Sequence, residues 1–393
     1  MLAEPSLTLI IALFIAAGAG WFLGRYRRPP RVEHRSELSK GYFQGLRFLL
    51  NEEPDKALEV FLRMVDVDND TVETHFALGN LYRRRGQVDR AIRVHENIIA
   101  RPTLSEEHRQ HAMFALAEDY FGAGLFDRAE ELFQQLAAEG PMRINALRYL
   151  LRIYEQQRDW EQAITAHERL LSVSTPEHPT AIAHYHCELA ERARARQDFE
   201  AARAYLHRVR EAQRNFPRSA LLRADIASDM GEHSLAATLC QRVVELHPKL
   251  LPLALPRVMR ALREGGGQDI EKRFAAWIRP DPAARAELAY AAIVAGLEQE
   301  SFVLDCLPDL LREEPSLGEI ARALAGEPNQ LSIDQRRELS LALGRILRRT
   351  QRYRCVDCGF ASAAHFWQCP GCRGWDAFAP VALLDVTPGM HRR

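Results

Sequence analysis

The sequence predicts an all-α protein: a solenoid of helix–turn–helix repeats, with one apolar helix before it and a small four-cysteine knuckle after it. Three observations carry this. An alanine recurs at a spacing near 34 residues, an uncharged apolar run lies near the start, and two C-x-x-C pairs lie near the end. The expected organisation is an anchor over 1–24, a basic linker over 25–35, about eight or nine repeats over 36–347, and a metal module with its tail over 348–393. With 52 Lys and Arg against 53 Asp and Glu, the net charge of −1 argues against a polybasic nucleic-acid binder and against an acidic tail protein.

The segment Leu7–Gly24 holds no charged residue. As a helix rising about 1.5 Å per residue it reaches roughly the thickness of a hydrocarbon core, and Trp21 falls where an interfacial aromatic belongs. Arg25, Arg27, Arg28 and Arg31 follow it, and only Glu4 is charged before it. A cleaved signal peptide has its positive charge first, so the pattern reads as a single-span anchor with the body on the cytoplasmic side. Cytosolic thiols stay reduced, which favours metal over disulfides for the paired cysteines.

The repeats align on Ala57, Ala91, Ala129, Ala163, Ala202 and Ala236, separated by 34, 38, 34, 39 and 34 residues. That period, with a small residue at this position, is the mark of tetratricopeptide repeats. The companion positions follow: Leu78, Gly79, Tyr82 and Gly86 in one unit, Leu116, Ala117, Tyr120 and Gly124 in the next, then Leu150, Leu151 and Tyr154. Two antiparallel helices approach closely only over small side chains, so Gly79 or Ala117 is expected to meet the alanine of the second helix, with the tyrosine filling the wedge. Pro102, Pro217 and Pro248 stop second helices. Beyond Pro248 the pattern weakens, but the period predicts further units around Ile270, Phe274 and Trp277, around Leu304 and Leu307, and over Gln335–Leu347. Solenoids offer extended binding surfaces on their first helices. Here those positions are Phe76, Asn80, Arg83 and Arg84, then Phe121, then Arg148, Arg152 and Glu155.

Cys355, Cys358, Cys369 and Cys372 form two knuckles ten residues apart, the spacing of a tetrahedral thiolate site. Gly359 stands where a positive φ lets backbone amides face sulfur, and Phe360, Phe366, Trp367 and Trp375 are the expected small core. No βαβ pattern surrounds the pairs, against a thioredoxin-like redox motif. Zinc and iron both suit four sulfurs. Cys187, Cys240 and Cys306 read as small apolar helix residues, and "HYHCEL" (His184, His186, Cys187) places its donors on different helix faces. No H-E-x-x-H, G-x-S-x-G, Walker or Rossmann motif is present, so no catalytic residue is assigned.

The cysteine segment, with C-x-x-C-G-F and C-P-x-C-x-x-W, resembles rubredoxin and related zinc-ribbon knuckles, although its spacer is shorter. The whole chain, through "ALGNLYRRRGQVDRAIRVHENI", "YFGAGLFDRAEELFQQL", "RYRCVDCGF" and "WQCPGCRGW", resembles the lipopolysaccharide assembly protein B family of Gram-negative bacteria. The resemblance implies an inner-membrane adaptor without enzymatic activity. Its implied partners are the membrane AAA+ protease FtsH and the lipid A-committing deacetylase LpxC, with other lipopolysaccharide synthesis or regulatory proteins. It also implies one iron ion on the four cysteines, where the residues alone leave zinc open. The alternative is a membrane-tethered electron-transfer protein docked through its repeats. For the adaptor, the metal is expected to lock the module onto the solenoid, with Arg345–Arg354 as a basic hinge.

Overall fold

The computed structural model describes residues 14–22, 43–45, 47–48, 56, 60, 72–102, 104–174, 180–265, 282–313, 322, 330–347, 351 and 353–380. Phe14–Phe22 is helical and exposed. The rest of the expected span over Leu7–Gly24 lies outside the described residues, among which no helix is long and apolar enough to cross a membrane. Ala57, Ile270, Phe274 and Trp277 also lie outside them.

The chain divides into two compact units, Met1–Ile153 and Tyr154–Arg393. The first contains α1 (Val72–Arg84), α2 (Val88–Ile99), α3 (Glu106–Gly122) and α4 (Phe126–Leu136), and the division falls within α5 (Arg143–Gln157). The second continues with α6 (Trp160–Leu171), α7 (Ala181–Ala195), α8 (Phe199–Ala212), α9 (Pro217–Asp229), α10 (His233–Leu246) and α11 (Leu251–Glu264). Its last described helices are α12 (Pro282–Val294), α13 (Ser301–Glu313) and α14 (Ile333–Leu347).

Five of the repeated alanines are described. Ala91, Ala129, Ala163 and Ala202 are fully buried and Ala236 is 2% exposed, so a larger residue at any of them would wedge a helix pair apart. Tyr82, Tyr120 and Tyr154 are buried beside them, as the sequence predicts. The close approach at Gly79 has a different partner from the one expected. A Cβ there would lie 2.4 Å from His95 Nε2, so it is this imidazole, one turn beyond Ala91, that needs the glycine.

The turn within each pair repeats to the level of single hydrogen bonds. Gln87 N donates to Tyr82 O, Leu125 N to Tyr120 O, Asp159 N to Tyr154 O, Asp198 N to Ala193 O, Glu232 N to Ala227 O and Leu297 N to Ala292 O. This closure requires a left-handed residue just before the donor. Gly86, Gly124, Gly231 and Gly296 supply it at φ of 73° to 79°, but Arg158 (57°) and Gln197 (62°) fill the same place in two turns. A side chain in that conformation costs about 1–2 kcal/mol. Arg158→Gly and Gln197→Gly are therefore each expected to raise unfolding free energy by up to about 1 kcal/mol, after the greater chain entropy of glycine is subtracted, as read by urea denaturation.

In the second unit one apolar core runs from Leu221 on α9 to Leu343 on α14, and includes Leu304 and Leu307 of α13. Cys187, Cys240 and Cys306 are fully buried, and burial pushes their thiols up to about 12, 12 and 11, so they pack as apolar residues. The unit ends in a three-stranded antiparallel sheet of β1 (Tyr353–Cys355), β2 (Ala361–Ser362) and β3 (Phe378–Pro380), in the order β2-β1-β3. Tyr353 pairs with Ser362 on one side and Pro380 on the other.

Candidate metal centre and its seat on the repeats

The two cysteine knuckles share one backbone design. Cys355 N donates to Phe360 O and Gly359 N to Cys355 O; fourteen residues on, Cys369 N donates to Gly374 O and Arg373 N to Cys369 O. The left-handed position is Gly359 (φ 76°) in the first, as expected, and Arg373 (φ 62°) in the second. Each loop turns its amides toward sulfur: those of Cys358 and Asp357 face Cys355, those of Cys372 and Gly371 face Cys369, and that of Gly374 faces Cys372.

All four sulfurs lie within 4.8 Å of one another, with Cys355 Sγ–Cys372 Sγ and Cys358 Sγ–Cys369 Sγ both 3.6 Å. A tetrahedron with metal–sulfur bonds of about 2.3 Å has edges of about 3.8 Å, so the cluster fits a tetrathiolate ion. Cys355 and Cys369 are buried, Cys358 and Cys372 exposed. Burial alone would raise the Cys355 thiol, but the amides of Cys358 and Asp357, helped by the neighbouring thiols, bring it down to about 7. Cys372 moves the other way, to about 12: the Gly374 amide favours its thiolate, but burial and the other three sulfurs outweigh it. One sulfur ionises readily and its neighbours then resist, which is the electrostatics of a site completed by a cation.

The module's core differs from the expected aromatic set. It consists of Tyr353, Cys355, Cys369, Ala377 and Phe378. Phe360 and Phe366 are 41% and 38% exposed and only flank Phe378. The two tryptophans face the repeats. Packing the aromatics inward would leave a module this small with nothing to bury against its neighbour.

Trp375 stacks on His184 of α7 at 4.4 Å between ring centroids and meets Tyr185 and Trp160 edge-on. Its Nε1–H donates to Glu155 at 3.0 Å. The same carboxylate accepts from Tyr185 Oη at 2.6 Å and from Gln368 Nε2 at 3.3 Å. Asp376 accepts from Thr180 Oγ1 at 2.8 Å and from His184 Nε2 at 2.9 Å. Burial holds His184 below the usual histidine range, so the ring is neutral near pH 7. With Nε2–H given to Asp376, Nδ1 is left to accept from Arg218, 3.4 Å away. Arg218, itself buried, pairs with Glu188 and Glu191 and lies over the Trp367 ring.

Sequence reasoning placed Glu155 on a partner-binding face and dismissed His184 as a metal ligand. In the second unit that first-helix face, through Glu155, His184, Tyr185 and Arg218, is covered by the chain's own metal module. Thr180, Tyr185 and Arg218 gave no signal, because nothing in a repeat pattern announces a contact with residues some 190 positions away. Glu155→Ala removes the acceptor shared by Trp375 and Gln368 without touching a ligand. It is expected to leave the metal content unchanged and to raise amide exchange across 353–380 about tenfold, measured by mass spectrometry.

The other predicted surface residues lie in the first unit. Phe76, Asn80 and Arg83 line a cavity of about 340 Å³ together with Phe114 and Glu118, while Arg84 is exposed outside that lining. Arg83 is committed internally: its guanidinium donates to Asn80, Glu118, Asp119 and the Ala115 carbonyl. Arg148 is exposed, and Arg152 lies over the rings of Phe121 and Tyr149 at 5.0 and 5.2 Å.

A family model described as the rubredoxin metal binding domain matches residues 353–380, and tetratricopeptide-repeat models match 74–109, 114–179 and 187–250. Lipopolysaccharide assembly protein B of Escherichia coli (strain K12) is 32% identical over 389 residues, covering 96% of this chain and 98% of that protein. The chain belongs to the lipopolysaccharide assembly protein B family. The Haemophilus influenzae lipopolysaccharide assembly protein B is 29% identical over 391 residues, with 95% and 98% covered. Among solved structures, the C-terminal part of a repeat protein from Cytophaga hutchinsonii matches 68% of this chain and 99% of its own length, at 14% identity and a TM-score of 0.39. The lipopolysaccharide assembly protein B architecture in this chain is thus a repeat solenoid carrying a four-cysteine metal-binding knuckle.

Proposed function

We propose that this protein is a non-enzymatic adaptor in lipopolysaccharide synthesis. It is held at the inner membrane by residues 1–24 with its body on the cytoplasmic side, and it brings the deacetylase LpxC to the protease FtsH. The observation that carries the adaptor reading is the seat of the metal module. The residues flanking the ligands, Gln368, Trp375 and Asp376, are those that grip α5 and α7, so the metal shapes a binding scaffold. Family membership supplies the pathway, and tethering to a membrane raises the effective concentration of a membrane protease without further contacts. The metal is iron in this reading, and the first-helix residues Phe76, Asn80, Arg148 and Arg152 contribute to a partner surface. Crosslinking from membranes should recover both a membrane protease and a lipid A deacetylase, and loss of the protein should lengthen the deacetylase half-life. Recovery of synthesis enzymes with an unchanged half-life would leave a scaffold and remove the protease coupling.

The exposed sulfurs of Cys358 and Cys372 favour a second reading, electron transfer at an iron site. Reversible reduction with turnover by a physiological reductase supports it; a metal that keeps one oxidation state in cells excludes it.

A further inference from the structure

The most strongly charged concavity described in the second unit lies away from the metal module, between α8 and α10 with α9 as its floor. Two adjoining cavities of about 360 and 310 Å³ share Arg210, Arg223 and Leu239. Arg214 and Arg242 complete the basic wall of the larger one, and Leu235 and Leu246, 45% and 48% exposed, extend the apolar part at the two ends.

Elsewhere in this unit the arginines are spoken for: Arg194 by Asp229, Arg257 by Asp225, Arg285 by Asp309, and Arg203, at the groove's edge, by Glu232. Among the described residues no carboxylate pairs with Arg210, Arg214, Arg223 or Arg242, and Glu232 is the one acid in either lining. Arg223 is half-buried on the floor. Its pKa is pushed below the usual guanidinium value by burial first, then by Arg210 and Arg203. A chain that neutralises its other interhelical arginines so consistently has left four here without a counter-charge, around leucines that water also reaches. Such a groove is complementary to carboxylates spaced along an apolar strand, because guanidinium forks take carboxylates bidentately and the leucines take the side chains between them. A bilayer surface is a poorer fit, since a flat array of headgroups does not reach an arginine recessed between two helices.

We propose that this groove binds an acidic peptide segment of a partner protein, anchored by apolar side chains against Leu235, Leu239 and Leu246. Binding of this kind would occur whether or not the protein couples a protease to its substrate.

The test uses the full chain in detergent and a short fluorescein-labelled peptide of alternating glutamate and leucine, followed by anisotropy. Saturable binding is expected. Arg223→Gln should weaken it about tenfold and Arg210→Gln/Arg223→Gln/Arg242→Gln about a hundredfold, as for lost charge-assisted hydrogen bonds. Added salt should weaken it further, and a glutamine–leucine peptide should bind about tenfold more weakly. Arg260→Gln, outside the groove, is the control, and unchanged circular dichroism and metal content show that the variants fold. No binding by the parent protein, or equal binding by the triple variant, would overturn the proposal. So would a result in which phosphatidylglycerol vesicles, and not the peptide, lose their binding in the triple variant.

Discussion

Cys369→Ser is expected to unfold the C-terminal module and expose the face of α7 beneath it. Two of the module's five core residues, Cys355 and Cys369, are themselves ligands, and its strands are two or three residues long. A sheet so short has no independent stability, so the metal supplies most of its folding free energy, of the order of 10–16 kcal/mol for a structural tetrathiolate-type site. Serine in place of a buried thiolate removes a ligand and leaves three crowded sulfurs without a tetrahedral ion. The consequences reach the repeats. Trp375 leaves His184 and Tyr185, Glu155 loses two of its three donors, and Arg218 loses the Trp367 ring. Tryptophan emission should shift to the red, amide exchange should rise through α7, and a protease should cut within 353–380. Chelation of the parent protein should do the same. The first unit, Met1–Ile153, should keep its own unfolding transition, because its core is built from α1 to α5 alone. A Cys369→Ser protein with unchanged tryptophan emission and protease resistance would show that the sheet stands without the metal.

What the sequence discloses here is what repeats or what is chemically distinctive. The alanines at 91, 129, 163, 202 and 236 are legible because every helix pair needs the same small residue at the same contact. The cysteines are legible because two pairs at fixed spacing have few other uses. The left-handed turns are legible at Gly86 and Gly124, yet hidden at Arg158 and Gln197, where six-to-one closure overrides residue preference. The seat of the metal module is not legible at all. Trp375 and Glu155 are 220 residues apart, and a tryptophan beside a knuckle looks the same whether it fills the module's core or faces a neighbour. The error over Phe360 and Phe366 has this origin: the sequence shows that a small module needs aromatics without showing which side they serve. The basic groove escaped for a third reason. Its arginines come from three helices, and only packing shows that those at 194, 257 and 285 have partners while those at 210, 223 and 242 do not.

Asp119→Ala is the second substitution expected to have a large effect, and it acts in the first unit. The carboxylate is fully buried on α3 and joins three helices: Arg83 Nη1 of α1 donates to it at 2.7 Å and His95 Nδ1 of α2 at 2.5 Å. The His95 ring is also fully buried and is wedged over Gly79, so it cannot swing out to water. Removing the carboxylate strands a guanidinium and an imidazole donor, and breaking a buried charged network in this way costs about 3–5 kcal/mol. Much of that cost belongs to the groups left behind and not to the attraction itself. Arg83→Met/Asp119→Ala should therefore lose less than the sum of the two single substitutions, by about 1–3 kcal/mol. Asp119→Asn, which keeps an acceptor oxygen but not the charge, should fall between the parent and the alanine variant. Urea denaturation of the first unit's transition would measure all four proteins. Strict additivity in the double variant would mean that Arg83 is held by Glu118 and Asn80 alone, with Asp119 serving only His95.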